Sequence, residues 1–225
     1  LKANNIDKIV AAMTLEEKAH LLVGNHDCTF NGFESRRKQL KNDVQGAAGT
    51  TSAIPRLGIP NTILSDGPAG VRIDPRRDGD PRTYFATAFP IGTAIASTWN
   101  LDLVRQIGQA MGNEVLEYGV DVLLAPGMNI HRNPLCGRTF EYYSEDPVVA
   151  GLTAAAMVNG VQSMGVGTSI KHFAVNSQET NRLEVDEVVS KRALREIYLK
   201  PFELAVKLAN PWTVMSSYNR LNGPY

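Results

Sequence analysis

The stretch GVGTSIKHFAVNSQETNR, residues 165–182, decides how this chain folds. Its first part, Gly165 to Ile170, is a short apolar run and reads as a strand. Lys171 and His172 follow directly, then Asn176, Gln178, Glu179, Asn181 and Arg182. A lysine at the end of an interior strand must find a carboxylate or a ligand, because burying it unpaired is costly. Glu141 and Asp66 are the carboxylates that could serve.

Outward from this run the pattern repeats. Upstream, Asp146 with Pro147 opens the helix VVAGLTAAAMVNGVQSMG. Before it, VDVLLAP (120–126) reads as a buried strand that runs into GMNIHRNPLCGRTFEYYSEDP. Asn100 caps a long helix over 101–119. Further back, Thr62 to Leu64 form a short strand ending in Ser65-Asp66-Gly67. Downstream, Ser190 caps a helix over 191–209, which Pro201 should kink or split. PWTVMSS (211–217) is the next strand and ends at Tyr218. At the start, Thr14 and Glu17 make a capping-box pattern for LEEKAHLLVG, closed by Gly24. Residues 26–60 lack helical periodicity, are rich in turn residues, and read as loop.

The order strand–helix–strand–helix–strand–helix–strand implies a parallel sheet with right-handed crossovers. An open doubly wound sheet and a (β/α)8 barrel both fit it. No G-x-G-x-x-G follows a strand, which disfavours a dinucleotide fold. The 225 residues amount to one large domain or part of a bigger protein, and at 43% hydrophobic they can fill a core. Acidic and basic residues balance at 23 each, which argues against nucleic acid or an anionic membrane as partner. No apolar run approaches the ~18–20 residues of a membrane helix. No signal peptide precedes Leu1, so the expectation is a mature exported chain or a cytoplasmic one, with a periplasmic or secreted location favoured. Cys28 and Cys136 lie in no metal-type spacing and read as free thiols. The chain stops at SSYNRLNGPY just after an apolar strand, which reads as a fragment.

Polar groups collect at the C-terminal strand ends. After the first strand come Asp66 and Arg72. After the second come His131, Arg132, Arg138, Glu141, Glu145 and Asp146. After the third come Lys171, His172, Glu179 and Arg182, and after the fourth Tyr218 and Asn219. In a barrel these ends converge on one face, and that face holds the active site. Plainer readings exist: Asp66 as a turn cap, Glu145 and Asp146 as loop braces, His131 as a structural histidine. A phosphate site would want donors only, and no metal spacing is present. Donors, an acceptor and aromatic surface together suit a polyhydroxylated ligand, whose hydroxyls both donate and accept. The cluster reads as a sugar site.

With these residues in view the sequence resembles glycoside hydrolase family 3, in its bacterial β-glucosidase-like branch. The segments that carry the resemblance are LSDGPAGVR (64–72), GVDVLLAPGMNIHRNPLCGRTFEYYSEDP (119–147), IKHFAVNSQETNR (170–182), VSKRALREIYLKPFELAVK (189–207) and VMSSYNRLNG (214–223). The resemblance runs from about Ile6 to Tyr225. It implies the N-terminal part of a (β/α)8 barrel over 1–225, and a retaining exo-acting β-glucosidase that needs no cofactor and no metal. Asp66 would accept hydrogen bonds from the terminal sugar. Arg138, Lys171 and His172 would contact other ring hydroxyls. Arg72 and Arg182 would orient these groups or the nucleophile, and Met215 and Tyr218 would line the pocket floor. The KHFAVNSQ loop offers no acid/base histidine of the kind found in the β-N-acetylhexosaminidase branch. The nucleophilic aspartate is expected beyond Tyr225, and the acid/base glutamate in a following α/β sandwich domain. The expected partners are a β-glucoside or oligosaccharide and the remaining polypeptide of the same enzyme, with homo-oligomerisation open.

Three other readings stand beside this one. The first is a β-xylosidase or another exo-glycosidase of the same family. The second is a catalytically inert sugar-binding fragment. The third is a sugar-phosphate aldolase with Lys171 as Schiff base, against which Asp66 and the lack of a phosphate-binding Gly-rich loop count.

Overall fold

The computed structural model describes residues 5–24, 44–77 and 79–225. Cys28 lies outside them; Cys136 is buried and has no disulfide partner among the described residues. Two short helices open the chain, α1 (Ile6–Ala12) and α2 (Leu15–Val23). Thr14 and Glu17 exchange both bonds of the expected capping box, and Gly24 ends α2 with positive φ.

The main sheet has five strands in the order β1 (Gly49–Thr50), β2 (Ile63–Ser65), β3 (Val122–Leu123), β4 (Gly167–Phe173) and β6 (Thr213–Ser216). The β1–β2 pair is antiparallel, and the other three pairs are parallel. The four parallel strands are joined in sequence order by helices, as the strand–helix alternation predicts. Between β2 and β3 lie α3 (Gly92–Ala96) and α4 (Leu101–Glu117), the latter capped by Asn100. Helix α5 (Pro147–Gln162) joins β3 to β4; the Asp146 side chain accepts from Val148 and Val149 N–H, so Asp146 is the helix cap and brace. This is the α/β architecture of a portion of a TIM-type barrel.

The crossover from β4 to β6 passes β5 (Asp186–Glu187), which pairs in parallel with β7 (Arg220–Leu221) in a second small sheet. It then passes α6 (Lys191–Ala193), a π-helical turn (Leu194–Tyr198) and α7 (Lys200–Ala209). The expected split is at the expected place. Pro201 has no N–H to give the turn before it, and the ladder widens to a five-residue step in which Leu199 N–H donates to Leu194 O at 2.8 Å.

Helix α5 is apolar nearly all round because it lies between α4 and α7. Its small residues let the backbones close: a Cβ on Gly160 would come within 2.2 Å of the Arg105 carbonyl on α4. Residues 122–130 are buried without a break, yet only Val122 and Leu123 join the regular ladder; an isolated bridge from Gly127 to Lys171 continues the pairing. The strand expected over 120–126 is therefore shorter as hydrogen-bonded structure than as buried chain. Within 26–60, the described part departs from loop at β1, at the 3-10 turn Pro55–Leu57 and at the isolated bridge between Ile54 and Ile59.

Candidate functional site

Strand geometry brings the polar groups together. The ends of β2, β3 and β4 lie side by side in parallel, so residues that follow them in sequence share one end of the sheet. After β2 the chain turns sharply: Gly67 N–H donates to Gly70 O at 2.9 Å, and the Ser65 hydroxyl donates to Arg72 O at 2.6 Å. This turn aims Asp66 and Arg72 at a cleft of about 380 Å³, which Arg138, Phe140, Glu141 and Lys171 also line.

Lys171 is 3% exposed, the depth at which a lysine demands a partner. Its Nζ donates to Asp66 Oδ1 at 3.3 Å, while Arg72 Nη2 lies 3.1 Å from Asp66 Oδ2. Of the two carboxylates considered for Lys171, Asp66 is the direct partner. Glu141, itself buried, takes the Nε–H of Arg138 instead. Burial pulls the Lys171 ammonium below its ordinary pKa, opposed by the charges of Asp66 and Glu141. Burial also works against the Arg138 guanidinium, but the Glu141 hydrogen bond and charge outweigh it and leave its pKa raised.

His172 is not among the residues lining the cleft. It is 5% exposed and anchored from behind. Its N–H donates to Asn129 Oδ1 at 2.8 Å, and its carbonyl accepts from Asn129 Nδ2 at 2.9 Å. Its Nδ1 lies 3.3 Å from the Tyr142 hydroxyl, which accepts from Asn176 Nδ2 at 2.9 Å. Burial, then the nearby Arg138, Lys171 and Arg182 charges, lower its pKa to about 2. The ring is neutral at any working pH.

Arg182 and Tyr218 form a second group beside the first. Arg182 Nη1 donates to Glu179 Oε2 at 2.9 Å, and its guanidinium carbon stands 5.2 Å from the Tyr218 ring centre. Met215, on β6, is in register with Lys171 and half-buried. The structure therefore gathers Asp66, Arg72, Arg138 and Lys171 in the cleft, sets His172 behind them, and puts Arg182, Met215 and Tyr218 on the β6 side. Asn129 and Tyr142, which support His172, carry no signal in the sequence beyond their place after a buried strand. His131 has its Nε2 buried without a partner among the described residues.

Comparison with known proteins adds to this geometry. Residues 19–224 match the model of the glycosyl hydrolase family 3 N terminal domain. A thermostable beta-glucosidase B from Acetivibrio thermocellus is 44% identical over 99% of this chain and 27% of its own length. An exo-alpha-(1->6)-L-arabinopyranosidase from Bifidobacterium longum is 46% identical over 95% of this chain and 26% of its own. The solved structure of beta-glucosidase 3B from Thermotoga neapolitana in complex with alpha-D-glucose is 58% identical, with a TM-score of 0.91, over 98% of this chain and 30% of that one. The chain thus spans about a quarter to a third of the length of these relatives.

Proposed function

Since the chain belongs to glycosyl hydrolase family 3, we propose that the protein carrying it is a retaining exo-acting β-glucosidase, and that residues 1–225 build most of the subsite for the terminal non-reducing glucosyl unit. The observation that carries this reading is the Lys171–Asp66–Arg72 cluster in a cleft of about 380 Å³. A buried ammonium and a carboxylate offer donors and an acceptor side by side, which is what the vicinal hydroxyls of a pyranose require. Asp66 accepts from two hydroxyls of the terminal sugar. Arg138 and Lys171 donate to others, and His172, set behind the cleft lining, supports them. Arg72 and Arg182 hold the carboxylates in place, and Met215 and Tyr218 form the floor.

Retaining hydrolysis needs two carboxyl groups about 5–5.5 Å apart, one as nucleophile and one as acid/base. Asp66 and Glu141 are each engaged by a cation, as suits binding residues. The catalytic pair is assigned to polypeptide beyond Tyr225, in keeping with the greater length of the relatives. Turnover of an aryl β-glucoside by residues 1–225 alone would overturn that assignment.

The similarity to an arabinopyranosidase supports a second reading, in which the subsite takes a pentopyranose. The test is a panel of aryl β-D-glucoside, β-D-xyloside and α-L-arabinopyranoside with the full-length protein. The highest kcat/KM is expected for the glucoside. A faster arabinopyranoside would replace the first reading with the second, and no turnover of any of the three would reject both.

A further inference from the structure

Glu179 lies outside the cleft lining, yet its carboxylate meets Arg182, Asn176 and the cleft residue Arg138. Its Oε2 accepts from Arg182 Nη1 at 2.9 Å. Its Oε1 accepts from Asn176 Nδ2 at 3.2 Å and stands 3.8 Å from Arg138 Nη1. Together these contacts reach the segments that follow β3, β4 and β6. Arg138 belongs to the loop after β3 and lines the cleft. Arg182 stacks over Tyr218, which follows β6. Asn176 passes its other hydrogen bond to the Tyr142 hydroxyl beside His172. Glu179 itself is tied to the β3 loop by its N–H, which donates to Cys136 O at 3.2 Å.

We propose that Glu179 is a positioning residue: its carboxylate fixes Arg138 from the side opposite Glu141, and so sets the direction in which the guanidinium offers its remaining N–H groups to the sugar. Held at Nε by Glu141 and drawn at Nη1 by Glu179, the planar fork of Arg138 has little freedom to turn. Without Glu179 two cations, Arg138 and Arg182, lose a shared counter-charge, and Arg138 keeps a single anchor about which it rotates. The inference rests on the proposed sugar-binding reading of the cleft and names a determinant of its selectivity.

The test compares full-length wild type, Arg138→Met and Glu179→Ala on aryl β-glucoside and its 2-, 3-, 4- and 6-deoxy analogues. The deoxy position at which Arg138→Met loses discrimination identifies the hydroxyl that Arg138 reads. Glu179→Ala is expected to lose discrimination at that same position by about ten-fold, the scale of one charge-assisted hydrogen bond. A variant that merely misfolds in part lowers every rate equally and leaves the ratio alone. Glu179→Gln, which can still accept from Asn176 but carries no charge, is expected to fall between wild type and Glu179→Ala. Unchanged selectivity in Glu179→Ala, with or without slower turnover, overturns the positioning role. A wild type inactive on every glycoside would instead overturn the functional reading on which the role rests.

Discussion

Replacing Asp66 by alanine tests whether this carboxylate reads the terminal sugar or only completes a turn. A carboxylate has about four lone-pair sites. Lys171 takes one on Oδ1, and Arg72 pairs with Oδ2 by charge at 3.1 Å, which leaves at least two for a ligand. Two charge-assisted hydrogen bonds at roughly 1.5–3 kcal/mol each set a ceiling of about 3–6 kcal/mol. The Asp66 side chain is 34% exposed, so water competes for those sites and the lower half of the range applies. At ~1.4 kcal/mol per decade, a loss of about 3–4 kcal/mol is a fall in kcat/KM of about 10² to 10³. The substitution also strands the Lys171 ammonium in a buried place, which slows turnover of every substrate. A ratio removes that common factor. Initial rates of full-length wild type and Asp66→Ala are therefore measured on an aryl β-glucoside and its 4-deoxy analogue. Wild type should discriminate strongly, since the bound sugar shields Asp66 from water and the missing hydroxyl then leaves an acceptor unpaired. Asp66→Ala should discriminate weakly. The same ratio in both proteins would refute the contact and leave Asp66 as a turn residue.

Three further outcomes follow from the geometry. Lys171→Ala should lower kcat/KM severely while the pH profile keeps both limbs, because the titrating carboxylates are assigned elsewhere; loss of one limb would make Lys171 a proton shuttle. His172 has a folded pKa of about 2 against an ordinary 6.5, so its contribution to stability is complete above about pH 6.5 and declines as pH falls toward 2, by up to ~1.4 kcal/mol per pH unit. The gap in Tm between wild type and His172→Asn should accordingly narrow from pH 7 to pH 5, and a gap that stays constant would contradict a neutral, buried ring. Gly160→Ala should cost about 1–3 kcal/mol of stability, read by denaturant midpoint, since its Cβ would meet the α4 backbone at 2.2 Å; an unchanged midpoint would mean that α4 and α5 slide apart freely.

How much of this was legible in the sequence depends on whether the deciding interaction is local. The caps at Thr14, Asn100, Asp146 and Ser190 satisfy N–H groups two or three residues away, and each was readable from its own window. The break at Pro201 is equally local. Strand β1 is two residues long and pairs with β2 across a loop rich in turn residues, so its own sequence holds no period to detect. The site divides along the same line. That Lys171 must have a carboxylate follows from its burial alone. Which carboxylate it takes does not: Asp66 is 105 positions away, and only the parallel pairing of β2, β3 and β4 puts it in reach. Glu141 is instead neutralised locally, by Arg138 three residues earlier. Tyr142 shows the limit most clearly. In FEYYSEDP it is one of two adjacent tyrosines, and nothing local separates them. Both are buried, which raises both hydroxyl pKa values, but only Tyr142 is placed against His172 and Asn176. A buried hydroxyl needs partners; the fold, through a contact thirty positions apart, decides that these partners are site residues.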